Sequence, residues 1–380
     1  MSSNLLQLAK QQHESFKSVL RQFVELESPS HDKASVDRAA RFIAAEFERC
    51  GGRIRWHKQK TSGDVLQIDF PGASRSRLLL LGHIDTVWDI GTLKSMTWRE
   101  STGKIYGPGI FDMKFGVVQM LFAIRLLQQS EGKLPRSITV LLNPDEEIGS
   151  HNSRPVTEKL ASQSDAVLVF EPSAGAAGAC KTSRKGVGNY LLRVHGLSAH
   201  AGLDFLKGAS AITELAHQLT RIASFSDPAK GLTVNPGIIR GGTRTNVVAE
   251  SAEAEIDVRV VSAAQARAID RRVHSLKPLD HRCKLEISGG INRLPFERNA
   301  KTVKLYRQAI ESAKALGFNL PEIAVGGGSD GNFTAGLGVP TLDGLGAVGD
   351  GAHAVHEHIV EREIPRRIAF AAELIRTIKP

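Results

Sequence analysis

Four short apolar runs stand out in the first 170 residues: Val65–Phe70, Arg77–Leu81, Ser137–Leu142 and Ala166–Phe170. Runs of this length that scarcely alternate with polar residues predict strands buried on both faces. Between the second and third, Met113–Gln129 repeats its apolar residues at helical spacing. The first fifty residues read as two helices broken at Glu27-Ser28-Pro29-Ser30. The second starts near Ala34 and stops at Cys50-Gly51-Gly52, where glycine can take the left-handed conformation. Buried strands alternating with helices predict an α/β domain with helices flanking its sheet.

After Pro172 the texture changes. Ser173-Ala174-Gly175-Ala176-Ala177-Gly178 reads as a linker. Beyond it come a strand over Val187–Gly196, a helix over Leu206–Phe225, strands over Leu232–Gly241 and Val247–Val260, a helix over Ala263–Ser275 and a strand over Cys283–Ser288. This β-α-β-β-α-β order is that of the ferredoxin-like unit. From about Arg293 the first texture returns, with a helix over Thr302–Leu316, an apolar segment at Val339–Leu345 and a closing helix over Ile364–Ile378. The expected organisation is an α/β domain (1–182 and 293–380) interrupted by a smaller α+β domain (183–292).

A chain of 380 residues has room for both. No apolar run approaches the roughly 18 residues of a membrane helix, and the opening segment has no apolar signal core, so no membrane partner and a cytoplasmic location are expected. Lys and Arg outnumber Asp and Glu by 49 to 40, a formal charge of +9. The excess is dispersed and no basic run carries interleaved aromatics, which argues against nucleic acid and for small anionic partners or a solvated basic surface. Cys50, Cys180 and Cys283 lack metal-ligand spacing and suggest neither a disulfide framework nor a thiolate site.

The chemistry gathers at the strand ends, where open α/β sheets bind their ligands. His83 and Asp85 follow the leucine strand, Asp145-Glu146-Glu147 follow Ser137–Leu142, Glu171 follows Ala166–Phe170, and Asp112 precedes the long helix. Any one of these has an ordinary structural use. Six carboxylates on one rim would repel one another and lose hydration unless cations compensate. Imidazole with carboxylates and no thiolate suits zinc, with manganese or cobalt as substitutes. The acids exceed what one zinc needs, so two ions sharing a bridging carboxylate are expected. In extended backbone Glu146 and Glu147 would point to opposite sides, one binding metal and the other serving as general base. Asp85 would accept the ring N–H of His83 and leave its other nitrogen free.

The segments GHIDTVW, IYGPGIFDMKFG, LLNPDEEIGS, VFEPS, RKGVGNYLLRVHGLSAHAG, GGGSDGNF and GAHAVHEHIV together resemble, in order, the di-zinc exopeptidases of the aminoacylase, acetylornithine deacetylase, succinyl-diaminopimelate desuccinylase and glutamate carboxypeptidase family. The resemblance implies a catalytic domain carrying two Zn2+ and an inserted lid that makes a homodimer. It implies that Asp112 bridges both metals, with His83 and Glu171 on one, Glu147 and His353 on the other, and Glu146 as the general base beside Asp85. His353 is preferred to His356 and His358 because Glu357 follows it by four residues. The Asp112–Met113 peptide is expected to be cis. In the lid, the resemblance implies that His200 crosses the dimer interface to stabilise the oxyanion in the partner's site and that Asn246 and Arg259 hold the substrate's free carboxylate; Gly328, beyond the lid, would allow close backbone approach. Arg293 and Lys185 are candidates for a glutamate side chain. Pro108 in GPGIFDMK leans toward the glutamate carboxypeptidase branch, hence toward release of a C-terminal amino acid such as glutamate. Deacylation of an N-acyl or N-succinyl amino acid is the alternative, and a non-catalytic binding protein on the same scaffold a third reading.

Overall fold

The computed structural model describes residues 2–379. Its contacts divide the chain into two compact units. The first comprises Met1–Ser183, Arg298–Val325 and Ser329–Pro380; the second comprises Arg184–Glu297 with Gly326–Gly328.

The first unit is built on a six-stranded mixed sheet in the order Arg53–His57, Val65–Phe70, Ser137–Asn143, Arg77–His83, Ala166–Val169, Thr341–Leu342. The last four strands run parallel and the first two are antiparallel additions at one edge. The leucine run explains why the sheet is buried on both faces. Leu78 and Leu80 enter the large core beneath the helices Phe115–Glu131 and Ile364–Thr377, whereas Leu79 and Leu81 enter a smaller core on the opposite face. Gly116 lets the long helix approach the central sheet, since a Cβ there would lie 2.0 Å from the Phe170 carbonyl oxygen.

Several expectations need correction. The first predicted helix is two, Ser2–Gln11 and His13–Val24, separated at Gln12. Arg53–His57 is an additional strand, and a small sheet of Gly349–Asp350, His358–Val360, Lys104–Tyr106 and Arg99–Ser101 was not anticipated. The long helix begins at Phe115 rather than Met113, because Asp112 and Met113 have non-helical backbone around a cis Asp112–Met113 peptide. The presumed linker is a tight turn in which Ala174 and Ala179 pair, and it leads into the strand Cys180–Arg184 alongside Glu322–Val325.

The second unit has an antiparallel sheet in the order Thr233–Gly241, Ser251–Val260, Gly186–His195, Lys284–Arg293, with helices Ala211–Ala223 and Ala263–His274. Tyr190, Leu192 and Val194 alternate inward against Ala252, Ala254, Ile256 and Val258, the period-two pattern of a sheet with one buried face. Ser210 and Ser262 cap the two helices.

Candidate active site

The strand ends of the first unit bring together side chains from five separate segments. His83, 1% exposed, closes the leucine strand. Its Nε2 lies 3.3 Å from Asp112 Oδ1 and 3.5 Å from Glu171 Oε1. The other Asp112 oxygen is 3.5 Å from His353 Nε2, which is 3.1 Å from Glu147 Oε2. Asp112 therefore presents one oxygen to each imidazole. Ligand atoms of His83, Asp112 and Glu147 fall within 4.8 Å of one another, as do those of His83, Glu146 and Glu171. His353 reaches the cluster from backbone with φ 61°, a left-handed conformation uncommon outside glycine.

This concentration of acid changes the protonation of its members. Burial opposes charging His83, yet Asp112, Asp85 and Glu171 outweigh it and hold the imidazole well above its usual pKa. Hydrogen bonding to Asp112 and Glu147 pushes His353 up to about 10. Burial, reinforced by the Asp112 charge, raises Glu147 to about 7 despite its contact with His353. The cluster gathers protons because it is short of positive charge.

Three buried anchors hold the geometry. Asp85, fully buried, accepts hydrogen bonds from the backbone N–H groups of Glu146 (3.1 Å) and Glu147 (3.2 Å) and from the Ser30 hydroxyl (2.6 Å). His83 Nδ1–H donates to the Asp85 main-chain carbonyl oxygen at 3.0 Å, with the Asp85 carboxylate at 3.4 Å. Asp85 meets His83 through its main chain rather than its side chain, because the carboxylate is committed to the acidic turn. Glu146-Glu147-Ile148 is a 3-10 turn rather than extended chain, so helical rotation separates the two glutamates.

Glu357 anchors the Asp112 loop. Its oxygens accept the backbone N–H groups of Gly109, Phe111 and Asp112 and the Trp88 indole N–H, all at 2.8–3.0 Å. Asp330 accepts from Asn143 Nδ2 at 2.6 Å and from the Ser150 hydroxyl, the two residues flanking the acidic turn.

In the second unit, His200 and Val247 form a β-bridge, and the Asn246 carbonyl accepts the Ala201 N–H, so His200 and Asn246 lie on paired segments. His200 is exposed, and its Nδ1 accepts the backbone N–H groups of Gly202 and Leu203, both at 3.1 Å. That fixes Nε2 as the protonated, donating nitrogen of the neutral ring. Arg259 holds Asp257 through two hydrogen bonds of 2.9 Å, so its fork already engages a carboxylate. The Gly328 carbonyl accepts from buried Arg184 at 3.0 Å. Arg293 is buried at the end of its strand, and Lys185 donates to the Gly231 carbonyl at 2.8 Å.

The profile of peptidase family M20/M25/M40 matches residues 79–377. The chain belongs to that family. Carboxypeptidase G2 of Pseudomonas sp. (strain RS-16) is 30% identical over 98% of this chain and 91% of its own length. Succinyl-diaminopimelate desuccinylase of Methylococcus capsulatus (strain ATCC 33009 / NCIMB 11132 / Bath) is 28% identical over 77% of this chain and 81% of its own. Among solved structures, an M20 family metallo-carboxypeptidase from Sulfolobus solfataricus superposes with a TM-score of 0.76, at 18% identity, over 95% of this chain and 98% of that one. As an M20 metallopeptidase, the chain is a hydrolase acting on peptide or amide bonds.

The M20 site also fits a metal by its donors. Among the described residues, buried His83 Nε2, Asp112 Oδ1 and Glu147 Oε1 have no hydrogen-bond partner, although they converge from three segments. Such atoms carry a desolvation cost that a cation removes. Sequence reasoning missed Ser30, Trp88 and Asp330 as parts of this M20 site. Ser30 registered only as a helix break, and none of the three carries a local signal of its distant partner.

Proposed function

We propose that this M20 chain is a di-zinc carboxypeptidase, releasing a C-terminal amino acid such as glutamate from a small peptide or peptide-like substrate. The observation carrying it is the Asp112 carboxylate set between two imidazoles, 3.3 Å from His83 and 3.5 Å from His353, with further acids on either side. His83, Asp112 and Glu171 would hold one ion, and Asp112, Glu147 and His353 the other. Bound there, two divalent cations supply Lewis acidity toward the scissile carbonyl and lower the pKa of water.

The remaining work falls to the chain's own groups. Glu146 takes a proton from the attacking water and passes it to the departing amine, held in place by the Asp85 hydrogen bond to its backbone. His200 crosses the proposed dimer interface and donates its Nε2–H to the tetrahedral oxyanion in the partner's site. Asn246 and Arg259 receive the substrate's free carboxylate, which replaces or shares the Asp257 contact. Gly328 offers close backbone approach, and Arg293 is assigned to the substrate's acidic side chain. A homodimer and a cytoplasmic location belong to the same proposal. The location is supported by three cysteines that form no disulfide and by the lack, among the described residues, of any helix long and apolar enough to cross a membrane.

The test is a substrate panel of folate-type, dipeptide, N-acetyl and N-succinyl compounds, run on protein whose metal content has been measured. Two metals per chain with release of C-terminal glutamate is the expected result. Hydrolysis confined to N-acetyl or N-succinyl compounds overturns the carboxypeptidase reading in favour of a deacylase, the activity for which the desuccinylase relative is named.

A further inference from the structure

The first unit has a second polar concentration, along the outer strands of the sheet. Along the edge strand, Ile54 and Trp56 pack on the large core, so the alternating Arg53, Arg55 and His57 stand on the other face. Register extends that face inward: Arg53 is paired with Asp69, Arg55 with Gln67, and Asp69 with Thr139, which neighbours Leu79 of the leucine strand. On this face the helix Arg154–Ser162 packs over Val65, Leu79, Leu81, Leu141, Val167 and Val169. Between that helix and the edge strand lies a groove of about 690 Å3.

Its floor is an ordered chain of hydrogen bonds across three strands. His57 Nε2 meets Gln67 Oε1, Gln67 Nε2 donates to Asp69 Oδ2, and the Thr139 hydroxyl donates to Asp69 Oδ1, each at 2.8 Å. Gln67 is 5% exposed. The walls are cationic: Arg53 and Arg55 from the edge strand, Arg77 from the foot of the leucine strand, and Lys159 from the helix. Among the described residues, none of these four side chains has an ion-pair or hydrogen-bond partner. The only carboxylate lining the groove is Asp69, already satisfied by Gln67 and Thr139, so four cations face one acid. Of the two aromatic rings in the lining, Phe70 is buried and the His57 imidazole is hydrogen-bonded to Gln67.

Edge-strand arginines discourage strand addition, but that role accounts neither for Arg77 and Lys159 converging from other elements nor for the ordered floor. We infer that this groove binds a small multivalent oxyanion bearing carboxylate or phosphate groups, at a site separate from the catalytic centre. Guanidinium groups match both kinds of oxygen pair bidentately. Arg77 and His83 are opposite ends of one seven-residue strand, which places the Arg77 wall roughly 20 Å from the metal ligands, while the floor at Gln67 lies two strands to the side of Leu81. The occupant is therefore an effector or a tethering ligand rather than a substrate under attack.

The test titrates intact, metal-loaded protein calorimetrically at low ionic strength with inorganic phosphate and, separately, tricarballylate, using acetate as the monovalent control. The expected result is one saturable site for at least one of the two multivalent anions, and which of them binds distinguishes phosphate from carboxylate chemistry. Binding should weaken at least tenfold in Arg53→Glu/Arg55→Glu and fall steeply with added salt. Any binding to the catalytic metals would persist in that variant, which separates the two sites. Lys159→Gln and Arg77→Gln, each changing a different wall, serve if the double variant does not fold. No saturable binding, or binding equal in wild type and all variants, overturns the inference.

Discussion

Glu146 and Glu147 are adjacent, yet one turn of 3-10 helix and two hydrogen bonds to Asp85 give them different surroundings. Glu147 faces His353 and Asp112, while Glu146 groups with His83 and Glu171. If Glu146 is the proton carrier, Glu146→Gln should lower kcat by about 10²- to 10⁴-fold, with metal content and thermal midpoint unchanged. Metal analysis alongside steady-state rates checks this, and an unimpaired rate removes Glu146 from the chemistry. Glu357 makes a contrasting case, because its carboxylate accepts hydrogen bonds from the backbone of the Asp112 loop and from the Trp88 indole. Glu357→Ala leaves three backbone N–H groups without their acceptor and should cost about 3 kcal/mol of stability. Urea unfolding measures that loss. Metal affinity should fall with it, since the loop aims Asp112.

At the scale of elements, close approach decides where the ligands stand. Gly116 seats the first turn of the long helix against the Phe170 carbonyl, one residue before Glu171. Alanine ordinarily stabilises a helix interior, but here its methyl group would overlap that oxygen. Gly116→Ala should therefore destabilise by about 1–3 kcal/mol, read as a lower denaturation midpoint; a gain in stability would show that the helix can shift freely. The helix Lys33–Arg49 is tied down by charge. Burial would raise Asp64, but hydrogen bonds from Lys33, Lys58 and the Gln59 N–H override it and hold the carboxyl down at about 2. A depressed folded-state pKa gives stability that is complete above the ordinary carboxyl value and is lost as pH falls from there toward 2. Asp64→Asn should flatten the acid limb of the stability curve in that window, followed by acid unfolding monitored by circular dichroism.

At the scale of the whole molecule, the proposed function makes stability and catalysis share the acidic rim. His83, Asp112, Glu147 and Glu171 are each less than one-sixth exposed, so cations that neutralise them also stabilise the fold. Chelation should abolish hydrolysis and lower the thermal midpoint by about 5 °C or more, from linkage of about 2.7 kcal/mol per site at a hundredfold excess over Kd. Scanning calorimetry before and after chelation, and again after zinc return, measures it. An unchanged midpoint would mean that the rim does not need metal to fold.

Much of this could be read from the chain because its signals are local. Continuous apolar runs announced the buried strands, and strand ends announced the rim, since the polarity change at His83 or Asp145 follows directly on residues that require a dry interior. Arg53–His57 escaped because only Ile54 and Trp56 are apolar, and the short strands around Lys104–Tyr106 escaped because they exist only by pairing with His358–Val360. Which of three clustered histidines turns inward, which Asp85 atom meets His83, the prior claim of Asp257 on Arg259, and the convergence of Arg53, Arg77 and Lys159 were all decided by tertiary structure. Each depends on residues far apart in the chain, and their relative positions are set by packing and register, which periodicity does not encode.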